Sequence, residues 1–583
     1  MAMPIGSVGA VAAGMEAEVY ASEHLMLAGR GVMKKEAFCP DQGSTPRRQP
    51  RSGLEWSVLP QLDGIQEESG QARCTILVQT LQGVGPSFST DMELHVAEKL
   101  KHIPTEREQA FLDTVEDTRH QREIINGLKP FFNEKAPEDM MSFYSEDEVV
   151  KLQVLSGSDR DVENRMPVKI TRHYYEIARK SKPIQRIVKA SPDETNDMAG
   201  SEDPGNQMDF APVEGLLHKY EMGLMYVVST CSAHCRFCYR EELIARKEIE
   251  RHDGTVAKKG LAKIPEIVAY IHEHNEIVRA NGGRHPDTGR EKLREILLSG
   301  GDPMVLNNSK IAAWLGALAE AGIESIRIGT KEMAFYPQRF DDAFLAMLDR
   351  FHETYPQVGL HFMLHFEHPD EILDKDDDGN YIRDEHGFLQ WIPETGRAMT
   401  GLVSRGWLTV ENQSPIIKDI NDDAVALRTL QREFKRVGGE NHYFFCGRDI
   451  VAYKAFNVPI ETAWQTLNES QKGLSGIENH ARLSITHYKG KTEVNAVTNE
   501  PIPGLPGSEN GVVIFKLLRN ALDAPDRGKV CIVGRNPDAV WFDDYEDRVL
   551  FDEAGLFDYT RFTESGKAPA TLASSMPRQS GCS

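Results

Sequence analysis

The chain has little cysteine and no long apolar run, and both shortages narrow what it can be. Only 8 of its 583 residues are cysteine. No stretch approaches the ~18 consecutive apolar residues of a membrane-spanning helix, so no membrane partner is expected. The first residues, MAMPIGSVGAVAAGMEAEVY, lack the basic segment of a secretory signal, and two glutamates interrupt their apolar stretch. We therefore expect a cytoplasmic protein with reduced thiols.

Basic side chains are also in deficit. The chain has 67 Lys and Arg residues against 89 Asp and Glu residues, a formal net charge of -22 at pH 7. A surface of this sign repels a phosphate backbone, so nucleic acid is not an expected partner. The content of 40% hydrophobic and 27% charged residues is that of a globular protein.

Composition and periodicity divide the chain into four predicted segments. Residues 1–85 include CPDQGSTPRRQPRSG and predict a disordered or loosely ordered extension. Residues 86–215 carry charged amphipathic stretches that predict a helical domain. From 216 to 450, six apolar runs alternate with helix-like stretches, which predicts a parallel α/β sheet, as a partial barrel or an open sheet. Residues 451–583 predict a mixed segment with a frayed tail.

The predicted strands set the expected place of the active site. They are LMYVVST, EILLSGG, SIRIGT, GLHFMLHF, WLTVEN and HYFFC. Ligands bind at the carboxyl ends of parallel strands. The most distinctive residues of the chain follow the first two of these strands, so we expect them to lie together.

The stretch STCSAHCRFCYREE places Cys231, Cys235 and Cys238 within eight positions, directly after the first predicted strand. Three thiolates can hold three irons of a 4Fe–4S cluster and leave the fourth iron open to a small ligand. The spacing departs from the CxxC pairs usual in zinc sites, although a zinc or purely structural site stays the alternative. The aromatic Phe237 could pack on a ligand's ring.

The second motif, LLSGGDPM, places Gly300, Gly301 and Asp302 at the end of the second predicted strand. Two glycines let the backbone approach a ligand closely, and a carboxylate can accept a hydrogen bond from an ammonium group. On its own this motif is more often a turn. Its position one β/α repeat after the cysteines makes a ligand-binding role the preferred interpretation.

CxxxCxxC with an aromatic residue before the last cysteine resembles the signature of radical S-adenosylmethionine (SAM) enzymes. Further segments resemble those of the lysine 2,3-aminomutase family. They occur in the family's order and at its approximate spacing, over about residues 140–500. These are PVEGLLHKYEMGLMYVVSTCSAHCRFCYR, LLSGGDPM, RIGTKEMAFYPQRF, HFEHPDEI and ENQSPIIKDIND. The resemblance implies a partial (β/α)6 TIM-type barrel of the radical SAM kind, with an N-terminal helical domain and a C-terminal α+β extension.

The resemblance also implies a reaction and its cofactors. The family is one of isomerases that move an α-amino group to the β carbon. It uses a 4Fe–4S cluster and SAM to make a hydrogen-abstracting radical, together with pyridoxal 5′-phosphate (PLP) on a lysine. In this chain, the resemblance implies that PLP is held by Lys491, in the segment HYKGKTEV. Lys489 is the competing position. Arg240 pairs with the substrate α-carboxylate.

Other matched positions complete the expected site. The motif of Gly300, Gly301 and Asp302 corresponds to the family's glycine-rich motif for the methionine amino group of SAM. His365 and Gln413 match positions that line the SAM pocket. The implied partners are a small amino acid substrate and an electron donor such as flavodoxin or ferredoxin. A homo-oligomer is a further option, because relatives assemble.

The substrate pocket departs from the lysine-specific pattern. Members acting on lysine hold its distal ammonium with two aspartates, and the matched positions here are Arg448 and Ser484. An arginine in place of an acid repels a lysine side chain and attracts a carboxylate. This predicts an acidic substrate such as glutamate. A shift of one residue would place Asp449 in the pocket instead and restore a basic substrate such as lysine.

A second departure concerns the phosphate of PLP. Family members usually have an arginine nine residues before the first cysteine, where this chain has Met222. Lys219 or Lys489 could substitute for it; without a substitute, PLP binding would be weaker or absent.

One acidic stretch, DKDDDGNYIRDE, matches a calcium-binding loop pattern, and it also reads as an ordinary acidic hairpin. The calcium ligands would be Asp374, Asp376, Asp378 and Glu385.

Two rival functions stay open at this point. One is another radical SAM reaction on the same scaffold, without amino migration. The other is a non-catalytic iron–sulfur protein that carries electrons or senses redox state, which the aminomutase motifs count against.

Overall fold

The computed structural model describes residues 101–127, 142–201, 203–240, 248–250, 256–258 and 260–557. These ranges belong to one unit of the chain, residues 78–583. The predicted extension over residues 1–85 and the predicted frayed tail lie outside the described residues. The four predicted segment boundaries therefore stay predictions. No helix of the described ranges is long and apolar enough to cross a membrane.

Short capped helices precede the sheet. They are α1 (Glu106–Leu112), α2 (Glu146–Leu155), α3 (Val162–Arg165), α4 (Arg172–Arg179) and α5 (Lys182–Val188). Each begins after a Ser, Thr or Asp whose side chain accepts a backbone N–H of the first turn, which explains why these short segments start where they do. Strands β1 (Ile124–Asn126) and β2 (Lys169–Thr171) pair antiparallel among them.

Twelve strands form one large sheet, and its central part is parallel. The parallel strands are β4 (Gly223–Val228), β7 (Glu295–Gly300), β8 (Ser325–Thr330), β9 (Gly359–Leu364), β10 (Leu408–Pro415), β11 (Glu440–Phe445) and β12 (Arg482–Thr486), in this order across the sheet. The first six confirm the six strands predicted from the sequence. The parallel strand β12 was not predicted.

Antiparallel strands extend this sheet at both ends. β3 (Leu216–Leu217) pairs with β4, and β13 (Gly490–Val497), β14 (Val512–Asn520), β15 (Val530–Gly534) and β16 (Val549–Asp552) follow β12 in order. A separate antiparallel pair is formed by β5 (Glu248–Glu250) and β6 (Val256–Lys258).

Helices alternate with the parallel strands, as the sequence pattern predicted. They are α6 (Ile264–Ala280), α7 (Asn308–Glu320), α8 (Glu332–Phe335), α9 (Asp342–Thr354), α10 (Pro393–Val403), α11 (Ala424–Arg436) and α12 (Ile460–Gln471). Strand residues that face them are buried, such as Ile326 and Ile328 of β8. The alternate residues Arg327 and Gly329 are only half-buried, so the sheet has an apolar face against the helices and a more polar opposite face.

The two ends of the parallel part of the sheet approach each other. Lys219, just before β4, donates from Nζ to the carbonyl oxygen of His487 between β12 and β13, at 2.9 Å. Arg290 donates from Nη2 to the carbonyl oxygens of Lys219 and Ala521, at 3.1 and 2.7 Å. The polar face of the sheet is therefore curved inward, and residues from distant strands can meet there.

Candidate active site

The cysteine loop follows β4 and is fixed by its backbone. His234 N–H donates to the carbonyl of Lys169 at 2.9 Å, and Arg236 N–H donates to that of Ile187 at 2.7 Å. Arg236 is also buried and paired with Glu194, with Nη2 and Oε2 2.7 Å apart. The loop is thus tied to the helices that precede the sheet, which holds its half-buried cysteines in place.

The three thiols of this loop lie within electrostatic reach of one another. Burial raises the pKa of Cys231 and Cys235 well above the usual value, and for Cys231 the nearby Asp302, Cys238 and Cys235 raise it further. The five cysteines in the described ranges are all free thiols. Such thiols bind a metal only by releasing their protons, and the positive charge of bound iron favours that release.

The donor set suits a cluster better than a lone ion. In the described part of the chain, no three His, Cys, Asp or Glu side chains converge closely enough to share one metal ion. A 4Fe–4S cluster spreads its cysteine ligands around a cube of iron and sulfide, so its sulfurs lie farther apart than those around one zinc. Three neighbouring thiols, without a fourth cysteine beside them in the described ranges, would suit a cluster with one open iron.

Gly300 and Gly301 bring the end of β7 against the start of the cysteine loop. A Cβ on Gly300 would lie 2.2 Å from the carbonyl oxygen of Val228, and a Cβ on Gly301 would lie 2.3 Å from that of Thr230. Gly301 N–H donates to Val228 O at 2.6 Å, and Asp302 N–H donates to Thr230 O at 2.9 Å. The two glycines therefore allow a close contact between two backbone segments. The sequence did not indicate this structural role.

Asp302 joins the ends of β7 and β8. Its carboxylate accepts hydrogen bonds from Thr330 Oγ1 at 2.7 Å, Lys331 N–H at 2.7 Å and Met304 N–H at 3.0 Å. Burial raises the pKa of this carboxyl group. The contact of Asp302 with the amino group of SAM stays a prediction. The three donors fix the carboxylate beside the cysteine loop whether or not SAM is bound.

Two arginines lie against the ring of one tyrosine at the edge of the cysteine loop. The guanidinium carbon of Arg240 lies 4.7 Å from the ring centroid of Tyr239, and that of Arg448 lies 4.3 Å from the same centroid. Arg240 also donates from Nη1 to Gly300 O at 3.1 Å and to Ser299 Oγ. Its Nε is buried and has no hydrogen-bond partner among the described residues, so this group retains capacity for an anion.

Lys491 lies at the start of β13, between Thr486 of β12 and Arg519 of β14 in the strand register. Its Nζ lies 4.0 Å from the ring centroid of Tyr443 and 4.9 Å from that of Phe445. Burial, followed by the positive charges of Arg519, Arg327 and Arg448, lowers the pKa of Lys491 to about 7. An amine that is neutral near neutral pH can attack a carbonyl.

Lys489, the competing position, points elsewhere. Its Nζ donates to the carbonyl oxygen of Gly555 at 2.5 Å. The arginine charges that act on Lys491 come from β8, β14 and the segment after β11, which lie at the polar face of the sheet. The geometry therefore favours Lys491 over Lys489 as the reactive amine.

Arg448 and Asp449, the two alternative residues for the substrate pocket, also differ in their contacts. Asp449 pairs with Lys454, and its carbonyl accepts from Ser201 N–H at 2.9 Å. Arg448, in contrast, stacks on Tyr239 and acts electrostatically on Lys491. The arginine, not the aspartate, is thus the side chain whose charge reaches the reactive amine.

Comparison with known proteins adds an independent finding. The chain is 32% identical over 377 residues to a protein of Aquifex aeolicus (strain VF5) named "Putative L-lysine 2,3-aminomutase", a match that covers 64% of this chain and 85% of that protein. The chain belongs to the lysine 2,3-aminomutase family. The resemblance read from the motifs is confirmed, and membership of this radical SAM family implies a 4Fe–4S cluster and SAM.

Other relatives include both substrate branches of the family. The chain is 25% identical over 255 residues to the glutamate 2,3-aminomutase of Clostridioides difficile (strain 630), covering 44% of this chain and 49% of that protein. It is 25% identical over 261 residues to the L-lysine 2,3-aminomutase of Acetoanaerobium sticklandii, covering 44% and 51%. The chain thus spans about half the length of these two relatives.

Two further comparisons add little. No family model matches the chain. A radical SAM methyltransferase from Sphaerobacter thermophilus is similar in structure at 14% identity, with a TM-score of 0.28 and coverage of 46% of this chain and 68% of that one. A score this low does not bear on the fold.

The other four residues predicted to contact a ligand differ in their burial and in their neighbours. His365 Nδ1 lies 2.7 Å from Glu367 Oε1, and Gln413 is half-buried on β10 opposite Tyr443. Phe237 is buried, and its ring centroid lies 6.3 Å from that of Phe456. Ser484 is fully buried, and its Oγ has no hydrogen-bond partner in the described part of the chain. The ligand roles of these four residues stay predictions.

Sequence reasoning missed two arginines of the site, Arg327 and Arg519. Arg327 lies on β8, and its Nη2 is 2.9 Å from Glu295 Oε1. Its place in the alternating strand SIRIGT, opposite two buried isoleucines, was a signal that could have found it. Arg519 lies on β14, beyond the matched range of about 140–500, so the resemblance gave no signal for it.

The acidic stretch after residue 373 forms a hairpin-like loop. Lys375 bridges with Tyr381, and Arg383 bridges with Leu389. Asp376 accepts from Asn380 N–H at 2.8 Å, as in a turn. The hairpin interpretation accounts for this stretch, and the described residues contain no group of three His, Cys, Asp or Glu side chains that could hold a metal ion. Calcium binding here stays a prediction.

Proposed function

We propose that this chain is a radical SAM, PLP-dependent 2,3-aminomutase that acts on a dicarboxylic amino acid such as glutamate. One observation carries the proposal. Lys491, with a pKa of about 7, lies near three arginines, on the sheet whose first parallel strand, β4, leads into the cysteine loop. Family membership supports the reaction, and the residues around Lys491 support the acidic substrate.

The residues around Lys491 fit PLP. The lysine presents an amine that is half neutral at neutral pH, and Tyr443 and Phe445 supply ring faces beside it. The surrounding guanidinium groups suit a phosphate dianion. PLP, when bound, supplies a carbon–nitrogen double bond that a radical on the substrate's β carbon can attack. The protein holds the amine in reach and keeps it deprotonated.

The cysteine loop fits the other two cofactors. Cys231, Cys235 and Cys238 would bind three irons of the cluster, and the fourth would take the amino and carboxylate groups of SAM. Reduced SAM on such a cluster supplies a carbon radical that removes a hydrogen atom from the substrate. Asp302, fixed by three donors, and His365 would line the SAM site. An electron donor such as flavodoxin or ferredoxin is part of this proposal.

The substrate's two carboxylates would meet two arginines. Arg240, with its buried unpartnered Nε, would bind the α-carboxylate, and Arg448 would bind the distal one. Both guanidinium groups lie against the ring of Tyr239, which keeps them near each other. A lysine substrate would instead bring its ammonium against Arg448, which like charges disfavour. We also propose that the curved parallel sheet is the partial barrel predicted from the sequence.

The test uses protein reconstituted anaerobically with iron and sulfide, then supplied with SAM, PLP and dithionite. Glutamate, aspartate, lysine and arginine are offered separately, and 5′-deoxyadenosine and β-amino acids are measured. We expect a β-amino product from glutamate. We expect R448A to lower kcat/KM for glutamate by about tenfold or more, since it removes a charged hydrogen bond worth about 1.5–3 kcal/mol.

Asp449→Asn is the matched control, because Asp449 pairs with Lys454 and not with the pocket. It should leave kcat/KM for glutamate nearly unchanged. A β-amino product from lysine alone would overturn the acidic substrate and keep the reaction. Deoxyadenosine without any β-amino product would favour a different radical reaction. An intact cluster with no deoxyadenosine would refute radical chemistry in this chain.

A further inference from the structure

The position of Met222 raises the question of what binds the PLP phosphate. Met222 directly precedes β4, where its neighbour Glu221 meets a side chain from one of the C-terminal antiparallel strands. That side chain is Arg519 of β14, whose Nη1 lies 3.7 Å from Glu221 Oε2. Because the ends of the parallel part of the sheet approach each other, a cation from the adjoining strand β14 lies next to Met222, the position where family members usually have an arginine.

Arg519 is also next to the reactive lysine. It is the register partner of Lys491 across β13 and β14, and side chains of directly paired residues lie on the same face. Among the arginines that act on the Lys491 amine, Arg519 has the largest effect, ahead of Arg327 and Arg448. A group bonded to Lys491 would therefore lie within reach of the Arg519 guanidinium.

The other candidate cations have closer partners. Lys219, proposed from the sequence, is buried and donates to the carbonyls of Gly205 and His487. Lys489 donates to Gly555 O, and Arg327 is paired with Glu295 at 2.9 Å. The contact of Arg519 with Glu221 is longer and half-exposed, with 32% and 36% of the two side chains accessible. A half-exposed ion pair of this kind is weak, so an incoming phosphate dianion can displace Glu221 from Arg519.

We propose that Arg519 binds the phosphate group of the PLP held by Lys491, in place of the cation missing at Met222. The ligand class is a phosphomonoester dianion, which suits the two parallel N–H groups of a guanidinium. The inference rests on the proposed function, because it requires PLP on Lys491. It assigns a cofactor contact to the C-terminal antiparallel strands, outside the range that resembles the family.

The test measures cofactor binding, not turnover. PLP, and separately pyridoxal, which lacks the phosphate, are titrated into the full chain, and binding is read from the visible absorbance change on Lys491. We expect R519Q to weaken PLP binding about ten- to hundredfold, the value of a charged hydrogen bond or two. Pyridoxal binding should fall less than PLP binding, because R519Q removes the positive charge that favours the neutral Lys491 amine for both ligands but removes a phosphate contact for PLP alone. The double variant M222R/R519Q should recover PLP affinity.

Arg527→Gln is the matched control, since Arg527 is an exposed arginine in the loop after β14 and its loss changes the net charge equally. It should bind PLP as wild type does. Equal PLP affinity of R519Q and wild type would overturn the inference, as would an equal loss of PLP and pyridoxal binding. If R519Q does not fold, R519K decides: severalfold weaker PLP binding with unchanged pyridoxal supports the inference, and unchanged PLP binding overturns it.

The two proposals fail in distinguishable ways. If wild type captures neither PLP nor pyridoxal, the PLP-dependent function fails, and the inference fails with it. If wild type captures PLP and R519Q does so equally well, only the role of Arg519 is lost.

Discussion

At the scale of single residues, the proposed chemistry depends on charges that favour the neutral form of one lysine. Lys491 is withdrawn from water and faces positive groups on β8 and β14, and both effects favour the uncharged amine. The aromatic rings of Tyr443 and Phe445 lie beside the amine, with centroids 4.0 and 4.9 Å from Nζ. An isolated motif around a lysine does not reveal this, because the arginines come from strands far away in sequence.

The pKa of Lys491 leads to a pH prediction. Below about pH 7 the amine is protonated and inert, and above it the amine is neutral and attacks a carbonyl. The rate at which PLP is captured should therefore rise through about pH 7 and level off above it, as measured by stopped-flow absorbance. K491A should abolish the capture. K489A, the matched lysine control, should keep the same midpoint. A midpoint near the ordinary lysine value of 10.5 would contradict the assignment.

At the scale of secondary structure, the contact between β7 and the cysteine loop decides whether the cluster can assemble. This contact is backbone to backbone and leaves no room for a side chain at Gly301. A misplaced loop would separate the three thiols, and a site that is displaced by about 1 Å already loses most of its function.

We predict that Gly301→Ala prevents cluster assembly and destabilises the protein by about 1–3 kcal/mol, the usual effect of overpacking. The added Cβ would lie 2.3 Å from Thr230 O, so the loop must move. Iron content after reconstitution and thermal unfolding measure the two effects. Gly476→Ala is the control, because Gly476 is exposed with no atom within 4 Å of the added carbon. Full iron content in G301A would show that the contact is dispensable.

The elements themselves were largely predictable, and the exceptions have physical reasons. The six apolar strands and their helices have strong periodicities that survive in the structure. β12 is short, and its sequence RLSIT carries too few apolar residues to be distinguished from a loop. Of the helical domain predicted over residues 86–215, the part at residues 101–127 is one seven-residue helix and a strand.

At the scale of the whole molecule, the site is a positively charged region on a negatively charged protein. The chain carries a net charge of -22, yet several guanidinium groups and one lysine gather on the curved polar face of the sheet. A concave surface concentrates the field of its charges, so this face attracts anions that the rest of the surface repels. A dicarboxylic substrate and a phosphate-bearing cofactor both match that sign.

The sequence predicted the cysteine loop, Arg240, Lys491 and Arg448 as members of one site. It could not predict that β14 returns to the segment before β4, because the curvature of a sheet comes from the packing of all its strands and not from any one motif. Arg519 and Glu221 therefore meet without any local signal in the sequence. The role of the two glycines was likewise hidden, since a motif does not say which atoms it brings together.

The most direct test of the central claim follows the nitrogen itself. Glutamate labelled with carbon-13 at C2 and with nitrogen-15 is turned over by the reconstituted protein, and the products are observed by NMR. Amino migration predicts that the direct coupling between labelled C2 and nitrogen disappears and that the nitrogen is found on C3. If deoxyadenosine accumulates while the nitrogen stays on C2, the chain performs a different radical reaction and the aminomutase account is wrong.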